Sequence, residues 1–461
     1  VSGLRYDVGM RAARAAILVV AALAWACGGT APQRPSPRWP ARTLAVWVGA
    51  GGLDELTLGE LRHAGVDRLV APLGTVTLAD DVPVLRGVTP PPVPPGAPLA
   101  VAFRLDVPGG ELDPDLAPAV WRAVSDQAAA VGRPQQVVVD LARIAEGTDA
   151  FLQRLAAAAG VPIVPAVAPG QLADPRLPAV ARGCGRVLVV AAGDVPAWRP
   201  GEEALPPPWD VALEPLAAAG VPWRLGVVLR PRTDPSLEVW GEDLDPLTEP
   251  EVAEVLTRSP LDRSFRLRRA VRWSGRDWKA GTTVAISWLD TAELDAALGR
   301  AERVVVPPLD GWDLLWLPPP APALGISREA LVAYLRGDGP GPRPAVRVER
   351  SGLTVRVTLA NPTPFPTAVS RFGNWVELAA PRGLVAENRG AFDAIVLGRR
   401  DGDTFRRDTG DRIDAVRLHE LYLAPGEEVT SGTLRLRSRR DTVRVRWHLV
   451  LGDGRELRGG G

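Results

Sequence analysis

Eight short apolar runs, spaced by amphipathic stretches, constrain this chain more than any other feature. They fall at 44–48, 68–71, 99–105, 136–140, 162–167, 187–191, 225–229 and 303–306. Each is rich in β-branched residues and bounded by Gly, Pro or Asp. Continuous apolar runs of this length read as strands covered on both faces, the habit of a parallel sheet. Helix signals lie between them. The stretch 54–63 carries an apolar stripe, and 113–131 opens with Asp113-Pro114, a favoured helix start. The stretch 148–159 starts at a Thr cap and stops at Gly160, and 291–298 starts at Thr291 and stops at Gly299. Pro215 interrupts 211–219, so only one or two short turns are expected there. Eight strands alternating with helices over roughly 265 residues predict an α/β fold, a (β/α)8 TIM-like barrel. A doubly wound sheet fits less well, because Val48-Gly49-Ala50-Gly51-Gly52-Leu53 does not carry the G-x-G-x-x-G spacing.

Two connections depart from the pattern. Residues 74–98 alternate at Val76 and Leu78 and then run into prolines, which predicts a β-ribbon and loop where a helix is due. Residues 265–288 read as a hairpin excursion with a turn at Ser274-Gly275, either an insertion or a barrel strand. From Ala345 the period becomes two, at Val346/Val348, Leu353/Val355/Val357/Leu359, Leu434/Leu436 and Val443/Val445/Trp447/Leu449. That pattern predicts a C-terminal antiparallel β-sandwich. The expected domains are a signal segment 1–27, a Pro-rich tether 28–42, the barrel 43–318, a linker with one helix 319–344 and the sandwich 345–461. The sandwich holds 20 Arg against 15 acidic residues, and Arg435, Arg437, Arg439, Arg444 and Arg446 fall on outward faces.

The N-terminal segment reads as an address. After Met10 come Arg11 and Arg14, an apolar run at 15–26, and then Cys27. The run is too short for a bilayer core of ~30 Å, but it suits a secretory signal. Leu23-Ala24-Trp25-Ala26-Cys27-Gly28 resembles a lipobox, which makes Cys27 the expected lipidation site. Gly28 after the Cys points to the periplasmic face of the outer membrane, so the expected location is the cell envelope. Net charge zero argues against a nucleic-acid partner. Three His and two Cys offer no metal-ligand spacing, and neither a metal nor a cofactor is expected. The other thiol, Cys184, reads as an inert buried Cys. Fifteen Trp read mainly as core, with some available to stack on sugar faces.

Working residues of a parallel barrel sit at strand C-termini. Those positions hold Trp47, Arg104, Asp106, Asp140, Asp194, Arg230, Arg232 and Asp310. Asp140, Asp106 and Asp310 are the candidate catalytic carboxylates, because glycoside hydrolysis needs an acid and a base a few ångströms apart. Trp47, Arg104 and Arg230 are the candidate substrate-binding residues. Arg104 shares a strand face with Asp106, and a structural pair between the two is the competing reading.

Several of these segments together resemble a bacterial family known only as domain of unknown function 3142. They are Leu44-Ala45-Val46-Trp47, Val66-Asp67-Arg68-Leu69, Gly74-Thr75-Val76-Thr77-Leu78, Val101-Ala102-Phe103-Arg104-Leu105, Val138-Val139-Asp140, Arg303-Val304-Val305-Val306-Pro307 and Val355-Arg356-Val357-Thr358-Leu359-Ala360-Asn361. The resemblance runs from Leu44 to about Val376. It implies a secreted or lipid-anchored barrel with a small β domain. It also implies an Asp-aromatic-Asp segment, similar to chitinase-like barrels, where this chain has Asp140-Leu141-Ala142. The first Asp matches and the second is missing, which implies a degenerate active site.

The leading expectation is an envelope protein, anchored in the membrane by a lipid, that binds a carbohydrate or envelope polymer at the barrel mouth with little or no turnover. Polysaccharide is the expected partner. An active glycoside hydrolase using Asp140 with a second mouth carboxylate is the alternative, and a non-catalytic envelope scaffold is the third reading.

Overall fold

The computed structural model describes residues 42–460 apart from 50–51, 80–81, 192–212, 231, 235–250, 259–261, 274–275, 305–306, 321–324, 369, 371 and 411. The signal segment, Cys27, most of the tether and Asp194 lie outside the described residues. Eight parallel strands form the first sheet: β1 (Thr43–Trp47), β2 (Arg68–Ala79), β3 (Leu99–Asp106), β4 (Gln136–Leu141), β5 (Ile163–Val167), β6 (Val187–Ala191), β7 (Trp223–Val228) and β8 (Leu309–Leu315). β1 pairs in parallel with both β2 and β8, Ala45 standing opposite Arg68 on one side and Asp313 on the other. That double pairing closes the sheet, and the fold is a (β/α)8 barrel followed by a β-sandwich.

Alternation along the strands sorts the side chains. Leu44, Val46, Val101, Phe103, Val137 and Val139 point outward into the layer shared with the helices. Ala45, Trp47, Ala100, Ala102, Val138, Val164 and Leu188 fill the barrel interior. The helices are α1 (Glu55–His63), α2 (Ala117–Val131), α3 (Thr148–Ala159), α4 (Leu177–Cys184), α5 (Glu214–Ala219), α6 (Thr291–Glu302) and α7 (Arg328–Leu335). Asp54 caps α1 by accepting from the Thr57 N–H at 2.7 Å, which satisfies one of the donors a helix start leaves over. Pro215 sits in the first turn of α5, where its missing N–H costs nothing, so the helix begins there instead of breaking. The helix α4 was not expected; it has no side-chain N-cap, but Pro178 lies in its first turn, Gly185 closes it in the left-handed region, and Cys184 is its last residue.

Three expectations are corrected. The eighth strand is Leu309–Leu315, not 303–306. Helix α6 runs through Gly299 to Glu302, and Arg303 ends it; a Cβ at Gly299 would meet open space, so the glycine is a half-buried helical position and not a stop. The helix expected in a linker, α7, belongs to the barrel: Ala330, Leu331, Tyr334 and Leu335 pack in the barrel core as the helix after β8. The excursion around 265–288 is an insertion between β7 and α6. It contains the antiparallel strands Asp262–Leu267 and Thr283–Ser287 and a small hairpin, Val271–Trp273 with Arg276–Trp278.

The expected ribbon is present, with Val82–Gly87 folding back on the long β2. Gly74 has φ +118°, and a Cβ there would lie 2.2 Å from the Arg86 carbonyl oxygen, so only glycine fits where the ribbon leaves the barrel. The sandwich stacks two antiparallel sheets. One contains Ala345–Ser351, Thr354–Ala360, Leu384–Ala386, Glu428–Thr430 and Leu434–Leu436. The other orders Thr404–Arg407, Ala394–Asp401, Ala415–His419, Trp375–Ala379, Arg444–Val450 and Glu456–Gly460. Arg435 and Arg444 therefore stand on different sheets, and the outward arginines do not make one patch.

Candidate functional site

The mouth of the barrel, at the C-terminal ends of the strands, holds a cavity of about 430 Å³. Trp47 ends β1, Arg104 lies near the end of β3, Asp140 near the end of β4, and Arg230 just past β7. All four were expected there, and all four line the cavity. Arg104 and Asp140 project to the interior because they continue the parity of Ala100/Ala102 and Val138.

The two face each other across adjacent strands, in direct register, with Arg104 Nη1 3.6 Å from Asp140 Oδ2. The partner of Arg104 is thus Asp140, and the structural pair with Asp106 is not the one formed. Burial pushes the Asp140 carboxyl above the usual carboxylate range, and the Arg104 charge works against that rise. Asp106 lies two residues beyond Arg104, exposed to solvent, and does not line the cavity.

Asp310 is misplaced by the sequence reading. It lies near the start of β8, at the opposite end of the barrel, where it pairs with Arg186 at 3.3 Å. Taking 303–306 as the strand had put Asp310 beyond a C-terminus; the true frame puts it at an N-terminus. Among the described residues, Asp140 is the one carboxylate lining the mouth cavity.

Trp316 was missed, and it supplies a wall of the cavity. It follows β8 directly with φ 71°, the left-handed region, where it is the one non-glycine among the described residues. The flanking backbone fixes it there: the Leu317 N–H donates to the Trp47 carbonyl at 2.7 Å, and the Leu229 N–H to the Leu315 carbonyl at 3.0 Å. Its ring meets Trp47 edge-on, with centroids 6.4 Å apart, and the Arg230 guanidinium lies 5.0 Å from its centroid. The available signal was the short apolar stretch Leu314-Leu315-Trp316-Leu317, hidden because the strand was read in another place.

Below the mouth the barrel interior turns polar. Asp313, 3% exposed, accepts from Arg224 Nε at 2.8 Å and from Trp47 Nε1 at 3.3 Å. Arg224 also reaches the Trp312 carbonyl at 2.9 Å and the Thr43 hydroxyl. Arg68 donates to the Gln136 side chain, and burial first, then Arg224, draws its pKa down. This network fixes Trp47 from underneath, so the floor of the cavity is held by a buried ion pair. Among the described residues no cluster of His, Cys, Asp and Glu has the arrangement of a metal site.

The fold and this mouth define a (β/α)8-barrel protein with an aromatic and charged cavity at the C-terminal ends of its strands, joined to a β-sandwich. No protein-family model matches the sequence, and no curated protein matches it. Among solved structures it is similar to a family 39 glycoside hydrolase from the gut symbiont Bacteroides cellulosilyticus WH2. That likeness has 10% identity and a TM-score of 0.32, and covers 85% of this chain and 82% of that one.

Proposed function

We propose that the barrel mouth binds a carbohydrate or envelope polymer with little or no turnover. One observation carries the reading: the cavity combines two Trp rings and two guanidiniums with a single described carboxylate. Rings and charged hydrogen-bonding groups at one concave site suit a sugar, which has apolar faces and polar edges. Hydrolysis by the usual route needs two carboxylates about 5–9.5 Å apart, and Asp140 has no such companion among the described lining residues.

The hydrolase reading keeps one favourable observation. A carboxyl raised by burial is what a general acid requires near neutral pH, and Asp140 is raised. A panel of bacterial and plant glycans, tested for binding and for product release, separates the two. Binding without release, lost in Asp140→Ala and Trp316→Ala, supports recognition. Release abolished by Asp140→Ala makes the protein a glycoside hydrolase. Absence of both across a broad panel leaves the scaffold reading.

The address belongs to the same proposal. The lipobox-like sequence ending at Cys27 supports anchoring in the envelope membrane through a thioether-linked lipid, and no helix among the described residues is long and apolar enough to cross a membrane. Labelled fatty-acid incorporation that disappears in Cys27→Ala is the check.

A further inference from the structure

The outer face of the six-stranded sheet carries a second concave surface, an open groove of about 950 Å³, remote in the chain from the barrel mouth. Its lining includes Arg400, Arg417, Arg444, Arg446, Arg458 and Trp375. The strand order explains why these residues meet. Arg400, Arg417, Trp375, Arg446 and Arg458 come from five neighbouring strands, and each lies on the outward parity of its own strand.

The floor of the groove is rigid. Glu377, 1% exposed, receives Arg400 Nε at 2.7 Å and Arg417 Nε at 2.8 Å. The Arg417 guanidinium lies between two rings, 4.1 Å from the Trp375 centroid and 4.3 Å from that of Phe405. Trp375 in turn stacks on His448 at 5.4 Å with 14° between planes. Such a frame pre-positions the guanidiniums, which lowers the entropy cost of binding.

The rim charges are open to solvent. Arg446 shares Asp403 with Arg400, at 2.7 and 4.0 Å, and Asp403 is 89% exposed. Arg458 pairs with Glu456. Arg444 has no ion-pair partner among the described residues. Five guanidiniums stand against three carboxylates, Glu377 beneath the floor and Asp403 and Glu456 at the rim, so the groove keeps a positive excess. The sandwich as a whole has the same sign.

We infer that this groove binds an acidic polysaccharide, one with a carboxylate on its sugar residues. The spacing argues for a polymer over a small anion. From Arg400 to Arg458 the array crosses four strand intervals of about 4.8 Å, roughly 19 Å measured across the strands. A chain with one carboxylate per sugar, at about one strand interval each, meets a guanidinium on most strands. Arginine offers the forked donor pair that matches a carboxylate. This site is independent of the barrel-mouth reading and stands or falls without it.

The test is electrophoresis of the full chain through native gels containing polygalacturonate, with dextran as the neutral control. Retardation is expected in polygalacturonate alone, suppressed by ~0.5 M salt because the contacts are charged and solvent-facing. The double variant Arg444→Glu/Arg458→Glu should weaken apparent affinity about tenfold, as reversed rim charges do. Arg444→Gln, which orphans no carboxylate, should weaken it about threefold and covers the case in which the double variant misfolds. Arg435→Gln, an exposed arginine on the other sheet of the sandwich, should leave the retardation unchanged. Equal mobility in both gels overturns the inference, as does retardation that neither Arg444 variant reduces. Binding to phosphatidylglycerol vesicles without retardation in polygalacturonate overturns it in favour of a lipid surface.

Discussion

Arg224 and Asp313 form an ion pair inside the barrel, Nε to Oδ1 2.8 Å, with both side chains about 5% exposed or less. Asp313 uses its other oxygen to hold the Trp47 indole. A buried pair of this kind contributes little net stability, but losing one partner leaves an uncompensated charge. Asp313→Ala and Arg224→Ala should each cost about 3–5 kcal/mol in chemical denaturation. The double replacement Arg224→Met/Asp313→Leu should recover most of that loss. A double variant no more stable than the single ones would show that the pair is needed for packing as well as charge.

Trp316 gives a prediction in which two effects separate. Its φ of 71° is strained for any residue with a Cβ. Trp316→Ala loses the ring and keeps the strain, whereas Trp316→Gly loses the ring and relieves it. The Gly variant should therefore be the more stable of the two by about 1 kcal/mol, less its own entropic penalty. Both should weaken glycan binding alike, by about tenfold for a lost aromatic contact. Thermal melts and titrations of the two proteins side by side decide it; an Ala variant as stable as the Gly one removes the strain argument.

Much of this was legible in the chain. Seven of the eight barrel strands coincide with apolar runs, because a strand covered on both faces must be apolar almost throughout. The eighth broke that rule. Leu309–Leu315 contains Asp310, Gly311 and Asp313, so it looked like a loop, while Val304-Val305-Val306 looked like a strand. One slip of frame then displaced Asp310 to the mouth and hid Trp316 and Asp313. The interior ion pair was also invisible: Arg224 and Asp313 are 89 residues apart, and only the parallel pairing of β7 with β8 brings them together. Trp47, Arg104, Asp140 and Arg230 were found because strand parity and strand ends are local properties. Trp223 and Trp312 are fully buried in the barrel core, whereas Trp316 and Trp375 line concave surfaces.

Stability should fall as the pH rises through neutrality. Burial is the first cause in each of three groups: Glu420 is pushed up to about 8, Glu293 to about 7 and Asp290 to about 6. Neighbouring Asp393 reinforces the rise at Glu420. A carboxyl whose folded pKa exceeds its unfolded one binds more protons in the folded state. Its destabilising charge is absent below the unfolded pKa and fully present above the folded one. The melting temperature should thus climb as pH is lowered from 9 towards 6. His419 acts oppositely at lower pH: burial draws it down to about 4, so stability is lost as pH falls from its unfolded value through that point. Glu420→Gln should flatten the profile between about pH 5 and 8. A profile identical to that of the parent protein would mean Glu420 ionises without penalty.

The Arg104–Asp140 pair links charge to the mouth directly. Burial raises the Asp140 carboxyl and the Arg104 guanidinium, 3.6 Å away, lowers it. Both side chains keep substantial exposure, 55% and 39%, so solvent screens the attraction and burial wins. Arg104→Gln removes the only opposing charge among the causes of the shift, and the Asp140 midpoint should move further up. The same substitution removes a donor from the cavity wall, so affinity at any one pH would fall for either reason. The midpoint of the pH–affinity curve distinguishes them, since a lost donor lowers the curve without displacing it. Carboxyl-carbon NMR titration of the free protein reads the same midpoint with no ligand present. An upward displacement in both measurements ties Asp140 to binding through its ionisation. A midpoint that stays in place, or moves down, would show that Arg104 is too well solvated to govern it and that the residue serves the cavity as a hydrogen-bond donor alone.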